Sequence, residues 1–219
     1  MTDPETGLNW ASFTTERGLT FRVAVPEEVT ETADFDTAFQ IIAPAHLGWV
    51  GLAWGGSMTY NPLAVSWPNG QEVTVSSRIA LQVTHLSQRS GRGDIMALKL
   101  TAYNLRSSFS PPLAYDFATY TVLEKGTHIN ATHWQVTAIC SGCSRWGEED
   151  SGGTIHLNAT GQNALAFAYS DVPVHDATKN DSSFNMHSGA GHWVHDFSQG
   201  ANGNFAASLA KLAVALRNG

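Results

Sequence analysis

Met58 follows two glycines and a serine in Gly55-Gly56-Ser57-Met58, and far downstream His187 closes the run Ser183-Phe184-Asn185-Met186-His187. A thioether and an imidazole can together fill both axial positions of a heme iron, one from each face. Such a pair leaves no open position for oxygen and raises the reduction potential, so the chemistry it supports is electron transfer. On spacing alone, Met58 also reads as core filler and His187 as a loop histidine. Context favours ligands. Glycines without side chains let the backbone turn sharply and approach a flat ring, and a methionine placed directly after them is unusual as core packing. Around His187, the polar and glycine-rich Ser188, Gly189 and Gly191 leave a ligand or a surface role rather than a core one.

Other residues could compete for a metal. Nine histidines are many for this length, and His128 with His133, or His192 with His195, could form a two-histidine site for copper or non-heme iron. Neither pair has a third ligand at hand. His192 and His195 lie three apart, which in a strand puts them on opposite faces. Met186 adjoins His187, and neighbouring residues cannot easily reach opposite faces of one porphyrin. The two cysteines, Cys140 and Cys143, have a spacing that allows a disulfide, a redox pair, half a zinc site or a heme attachment motif. Thioether attachment requires His after the second Cys, where Ser144 stands, so a heme would be held noncovalently. Zinc requires two further ligands; His156 is at a tolerable distance but no second His follows it within three to five residues. A thioredoxin-like pair requires a βαβ setting, absent here. A short structural disulfide remains, favoured in an oxidising compartment.

These residues must be carried by strands. Leu19, Phe21, Val23 and Val25 alternate with Thr20, Arg22 and Ala24, the period of two of a strand with one buried face. Similar runs are 39–42, 48–54, 63–67, 72–79, 95–102, 115–123, 134–140, 154–157 and 164–170, separated by Gly, Pro, Asn and Ser. Many short strands without interleaved helical pattern predict an antiparallel β-sandwich. Only the end differs: Phe205, Leu209, Leu212 and Leu216 recur at helical spacing, predicting a closing helix over about 200–217. The chain has 219 residues, 42% of them hydrophobic, enough for one full core, and reads as a single domain over 1–219.

A formal net charge of -7 argues against nucleic acid or an anionic membrane surface as the main partner. No apolar run approaches the roughly 20 residues of a membrane span. Met1 before polar Thr2-Asp3-Pro4-Glu5 reads as a start placed ahead of a mature segment, so the lack of a leader says little about destination. Sequons at Asn130, Asn158 and Asn180 agree with secretion without demanding it.

The ordered set of segments resembles the cytochrome domain of cellobiose dehydrogenase and related sugar dehydrogenases, heme b domains of the DOMON-like superfamily. The matching pieces are Ala43-Pro44 through Trp49-Val50-Gly51-Leu52, Gly55-Gly56-Ser57-Met58, Trp67, and Val75-Ser76-Ser77-Arg78. They continue with Ile129 to Trp134, Cys140-Ser141-Gly142-Cys143, Ala164 to Ser170, and Ser183 through His187 to Gly191. The resemblance implies an immunoglobulin-like sandwich, a noncovalent heme b with Met58 and His187 as axial ligands, and Gly55 and Gly56 beside the cofactor. It also implies an extracellular electron-transfer domain of an oxidoreductase with no substrate chemistry of its own. The implied donor is a flavin- or quinone-dependent dehydrogenase domain and the implied acceptor a lytic polysaccharide monooxygenase. Where the family has a tyrosine for a heme propionate, this chain has Val83, so either Tyr60, Arg78 or His85 takes that contact or the carboxylates are more solvated here than in the relatives. The rival readings are a heme-free carbohydrate-binding sandwich, with some of the seven Trp exposed for stacking on sugars, and a mononuclear metal enzyme.

Overall fold

The computed structural model describes residues 2–30, 33–84, 107–109, 111–147 and 153–214. Its strands are β1 (Ala11–Thr14), β2 (Thr20–Pro26), β3 (Thr37–Pro44), β4 (Trp49–Trp54), β5 (Pro62–Asn69), β6 (Glu72–Ile79), β7 (Gln82–Thr84), β8 (Ser107–Phe109) and β9 (Leu113–Ala114). There follow β10 (Thr119–Ile129), β11 (His133–Ser141), β12 (Arg145–Trp146), β13 (Ile155–His156), β14 (Gln162–Ser170), β15 (Gly189–Asp196), β16 (Ala201–Asn202) and helix α1 (Phe205–Val214).

Period-two alternation sorts these strands into two main sheets. One runs β1-β2-β3-β11-β10, with β16 added parallel to β2; the other runs β15-β14-β4-β5-β6-β9. Phe21, Val23 and Val25 of β2, Phe39 and Ile41 of β3, and Val136 and Ala138 of β11 point inward. They meet Val50, Leu52 and Trp54 of β4 and Leu165 of β14 from the facing sheet. Burying one such large apolar side chain contributes about 1.5–3 kcal/mol, so this inter-sheet core fixes which face of every strand looks out. The expected all-β sandwich is the observed fold. α1 closes the outer side of the first sheet, burying Phe205, Leu209 and Leu212 against Leu8, Trp10 and Leu123. It starts later than the periodicity implied, because the residues before it form a short 3-10 turn at Phe197–Gly200 and then β16.

Three other expectations are corrected. The run 115–123 begins as a strand only at Thr119 and continues to Ile129. The run 154–157 shrinks to Ile155–His156. β15 was not predicted at all: its glycines and histidines have low strand propensity, but as an edge strand it needs only inward Gly191 and Trp193 to register against Phe167 and Leu165. The expected strand at 95–102 lies outside the described residues. Cys140 and Cys143 form the expected disulfide, closing the end of β11 around Gly142, whose φ of +87° suits glycine. Replacing both cysteines by serine should lower stability by about 2 kcal/mol, from the loop-entropy relation for so short a loop, and leave heme reduction unchanged. Denaturant unfolding and reductive titration check the two halves.

His195 faces inward from β15 beside β1. Its Nε2 is buried without a hydrogen-bond partner among the described residues, and desolvation lowers its pKa below 6.5, against the raising effects of a hydrogen bond to the Ala11 backbone and of Asp196. A depressed folded-state value means stability that is present above the unfolded pKa of about 6.5 and lost as pH falls through the folded one. Stability should therefore drop on acidification below about pH 6.5. His195→Gln should flatten that part of the pH profile, measured by urea unfolding.

Candidate functional site

β4 ends at Trp54, and the chain then turns through Gly55 and Gly56, at φ +95° and +84°. Both need glycine for space as well. A Cβ on Gly55 would collide with the Asn61 side chain and come within 2.7 Å of the Trp146 ring, and one on Gly56 would lie 2.7 Å from Ala164 Cβ. The turn holds Met58 because Asn61, buried just before β5, ties it down. Asn61 Nδ2 donates to the Ser57 carbonyl at 3.0 Å, to Ser57 Oγ at 2.8 Å and to the Thr59 carbonyl at 3.1 Å. Asn61 Oδ1 accepts from Trp146 Nε1 at 2.9 Å. Asn61→Ala should cost about 2–3 kcal/mol, because the buried Trp146 donor and the turn carbonyls lose their partner. Heme should also dissociate faster from that variant, read by transfer to apomyoglobin.

His187 is positioned by a long excursion between β14 and β15 that folds over the outer face of the second sheet. Trp67 Nε1 donates to the Ala177 carbonyl at 3.0 Å, and Ser76 Oγ to the Asn180 carbonyl at 2.6 Å. Arg78 does most. Its Nε donates to Ser76 Oγ, its Nη2 to the carbonyls of Asn180 and Ser182 at 3.0 and 2.9 Å, and its Nη1 to that of Pro112 at 3.3 Å. The guanidinium also lies 5.8 Å from the centroid of the Phe184 ring. Burial lowers the Arg78 pKa, which Asp181 partly opposes. Ser188 closes the excursion, with its N–H donating to the Tyr169 carbonyl and its hydroxyl to Asp171 Oδ1 at 2.7 Å. That hydrogen bond is the largest cause holding the exposed Asp171 carboxyl below its usual value.

Between this excursion, the Met58 turn and the sheet lies a cavity of about 850 Å³, within the ~300–1,000 Å³ of small-molecule and cofactor sites. Its floor is flat because the outward residues at the centre of the sheet are small: Gly51 and Ala53 on β4, Ala166 and Ala168 on β14, Ala190 on β15. A Cβ on Gly51 would sit in ordinary van der Waals contact with the Trp49 ring at 3.7 Å, without a clash. Trp49 and Phe184, with ring centroids 4.9 Å apart, stand beside it. Met58 and His187 both line this cavity, as does Gly56. Among the described residues, no hydrogen bond occupies either ring nitrogen of His187. An apolar slot with a flat floor, one thioether and one uncommitted imidazole fits a noncovalent heme, which Met58 and His187 would hold at the iron.

Of the remaining expected contacts, Gly55, Tyr60 and Arg78 are not among the residues that line the cavity. Gly55 packs on Asn61 and Trp146 rather than lining the cavity. Tyr60, at φ +62° and 53% exposed, lies beyond the lining. Arg78 is a clamp on the His187 excursion. His85 lies outside the described residues. Sequence reasoning missed Asn61 and the clamping role of Arg78, and only a polar residue soon after the glycine turn hinted at the former.

The rivals find little support. All seven tryptophans are buried, the most exposed being Trp193 at 8%, so none offers a face for stacking on sugar. Among the described residues no three His, Cys, Asp or Glu gather as metal ligands. His192 and His195 point to opposite sides of β15, as a strand requires.

Comparison with known proteins adds independent findings. The family model of the cytochrome domain of cellobiose dehydrogenase matches residues 1–207. A pyrroloquinoline quinone-dependent pyranose dehydrogenase of Coprinopsis cinerea is 28% identical over 137 residues, which are 62% of this chain and only 14% of that relative's length. The cytochrome b domain of the Coprinopsis cinerea pyranose dehydrogenase shares the fold at a TM-score of 0.72 and 20% identity, over 97% of this chain and 94% of that one. The cytochrome domain of Myriococcum thermophilum cellobiose dehydrogenase does so at 0.72 and 21%, with the same coverage.

Proposed function

The chain belongs to the family of the cytochrome domain of cellobiose dehydrogenase, and from that premise we propose that it is a b-type cytochrome domain that relays single electrons. The observation that carries the reading is the convergence of Met58 and His187 on one apolar cavity. When bound, the heme supplies reversible one-electron chemistry. Met58 and His187 would hold the iron, leave no open position on it for oxygen and favour its reduced state through the thioether. The small-residue floor seats the ring, and the Trp49–Phe184 wall keeps water from its apolar part. Asn61 fixes the Met58 turn and Arg78 the His187 excursion, so the ligands are held ready in both oxidation states.

The donor is a flavin- or quinone-dependent sugar dehydrogenase domain. Support for this comes from the family and from a relative that is itself a quinone-dependent pyranose dehydrogenase. The acceptor is an external one-electron protein such as a lytic polysaccharide monooxygenase, and the setting is extracellular. The disulfide and the exposed Asn130, Asn158 and Asn180 of the sequons agree with that setting. No helix among the described residues is long and apolar enough to cross a membrane.

Stopped-flow mixing of the oxidised chain with a sugar-reduced pyranose or cellobiose dehydrogenase domain tests the relay. The heme should be reduced in a single phase that depends on dehydrogenase concentration, then reoxidised on adding the copper monooxygenase. A heme that dithionite reduces but the dehydrogenase does not would contradict the proposed donor.

A further inference from the structure

Away from the cofactor cavity, the loop between β13 and β14 carries the sequon Asn158-Ala159-Thr160. Leu157 and Ala159 are buried, so Asn158 and Thr160 project to solvent. The backbone there is fixed on both sides: Asn158 N–H donates to Asn163 Oδ1 at 2.8 Å, and Asn163 Nδ2 donates to the Asn158 carbonyl at 2.7 Å. Thr160 closes a side-chain turn, its N–H and hydroxyl donating to Asn158 Oδ1 at 3.0 and 3.1 Å. Asn158 Oδ1 is thereby engaged, while among the described residues no hydrogen bond takes up Nδ2. Beside it lies a hollow of about 240 Å³, which Asn158 and Thr160 share with Val29, Thr30, Phe35 and His156. The Phe35 N–H donates to Ser144 Oγ at 2.9 Å, and His156 Nε2 donates to the Ala33 carbonyl at 3.2 Å. The two rings meet edge on, with centroids 6.2 Å apart.

The hollow is smaller than the ~300–1,000 Å³ of small-molecule sites, so a free ligand would find few contacts in it. A sugar joined to Asn158 meets it at high effective concentration, because the linkage removes the cost of association. The lining suits a pyranose, with an aromatic ring for its C–H face and a hydroxyl and an imidazole for its polar edge. We propose that Asn158 is an N-glycosylation site whose first N-acetylglucosamine packs on Phe35 in this hollow. Attachment forms a bond from Asn158 Nδ2 to C1 of the sugar as the bond from C1 to a lipid pyrophosphate breaks. The lipid pyrophosphate leaves, and Nδ2 gives up one proton. Neither Asn130 nor Asn180 lines the hollow, so a glycan on either leaves stability unchanged. The inference rests on the extracellular setting proposed above, since secretion is what brings the chain to such a sugar donor.

The test secretes the chain from yeast behind a leader peptide and maps its glycopeptides by mass spectrometry, which should find Asn158 modified. A variant that keeps only this sequon, Asn130→Gln with Asn180→Gln, is loaded with heme and its glycan trimmed by endoglycosidase H to the first sugar. That form should melt about 2–4 °C above the same chain made without glycan in a bacterial periplasm, the shift of one stacking contact in a domain of this size. With Phe35→Leu added, the difference between the two forms should vanish. Nuclear Overhauser contacts between the isotope-labelled sugar and the Phe35 ring should appear as well, and they need no change at Phe35. An unmodified Asn158 beside a modified Asn130 or Asn180, a melting gain that survives Phe35→Leu, or the absence of contacts between sugar and Phe35 would overturn the assignment. A chain without glycan at any of the three sequons would overturn it together with the extracellular setting.

Discussion

His187→Ala is expected to yield a protein that is high-spin or free of heme, with an iron position newly open to carbon monoxide and cyanide. A noncovalent heme is retained by its axial bonds and by pocket packing, with no thioether links to hold it once the imidazole is gone. Loss of a supporting residue around a metal typically weakens binding 10–100-fold. Loss of the ligand itself should exceed about a hundredfold, on the same scale. Substitution of His195, whose ring faces the opposite side of β15, should leave the spectrum six-coordinate. Absorption spectra with and without carbon monoxide decide the matter. A six-coordinate, ligand-free spectrum from His187→Ala would move the ligand elsewhere in the loop.

Met58→His should keep heme and keep it six-coordinate while lowering the reduction potential. Imidazole stabilises the ferric state relative to a thioether, and the drop should be on the order of 0.1 V, part of the roughly 0.8 V that axial ligation spans. The turn can present the new side chain because its shape comes from Gly55, Gly56 and Asn61, which the substitution leaves alone. Spectroelectrochemical titration gives the number. An unchanged potential would mean that the Met58 sulfur is not at the iron.

The parts of this molecule legible in its sequence are those written locally. Alternation along Leu19 to Val25, or from Glu72 to Ile79, reports a buried face directly, and the glycine pair before Met58 reports a turn that no side chain fits. What the sequence hid depends on partners far along the chain. Arg78 looked like a solvated cation free for a carboxylate because the carbonyls that take up its guanidinium lie far along the chain, two of the three more than 100 residues away. Seven tryptophans suggested a sugar-stacking face, and only packing shows each of them inside. β15 was obscured by glycine and histidine, residues that an edge strand tolerates and that here leave room for a ligand. The small residues of the floor were also unreadable as a set, since Gly51, Ala168 and Ala190 become neighbours only through the β4–β14–β15 register.

The central claim is that one thioether and one histidine hold the iron, and iron-edge X-ray absorption of the loaded protein measures it most directly. The account predicts a ferric iron surrounded by five nitrogens, four from the porphyrin and one from His187, with a single sulfur from Met58 that disappears in Met58→His. An iron shell of six nitrogens in the natural chain, unchanged by substitution at Met58, would contradict it.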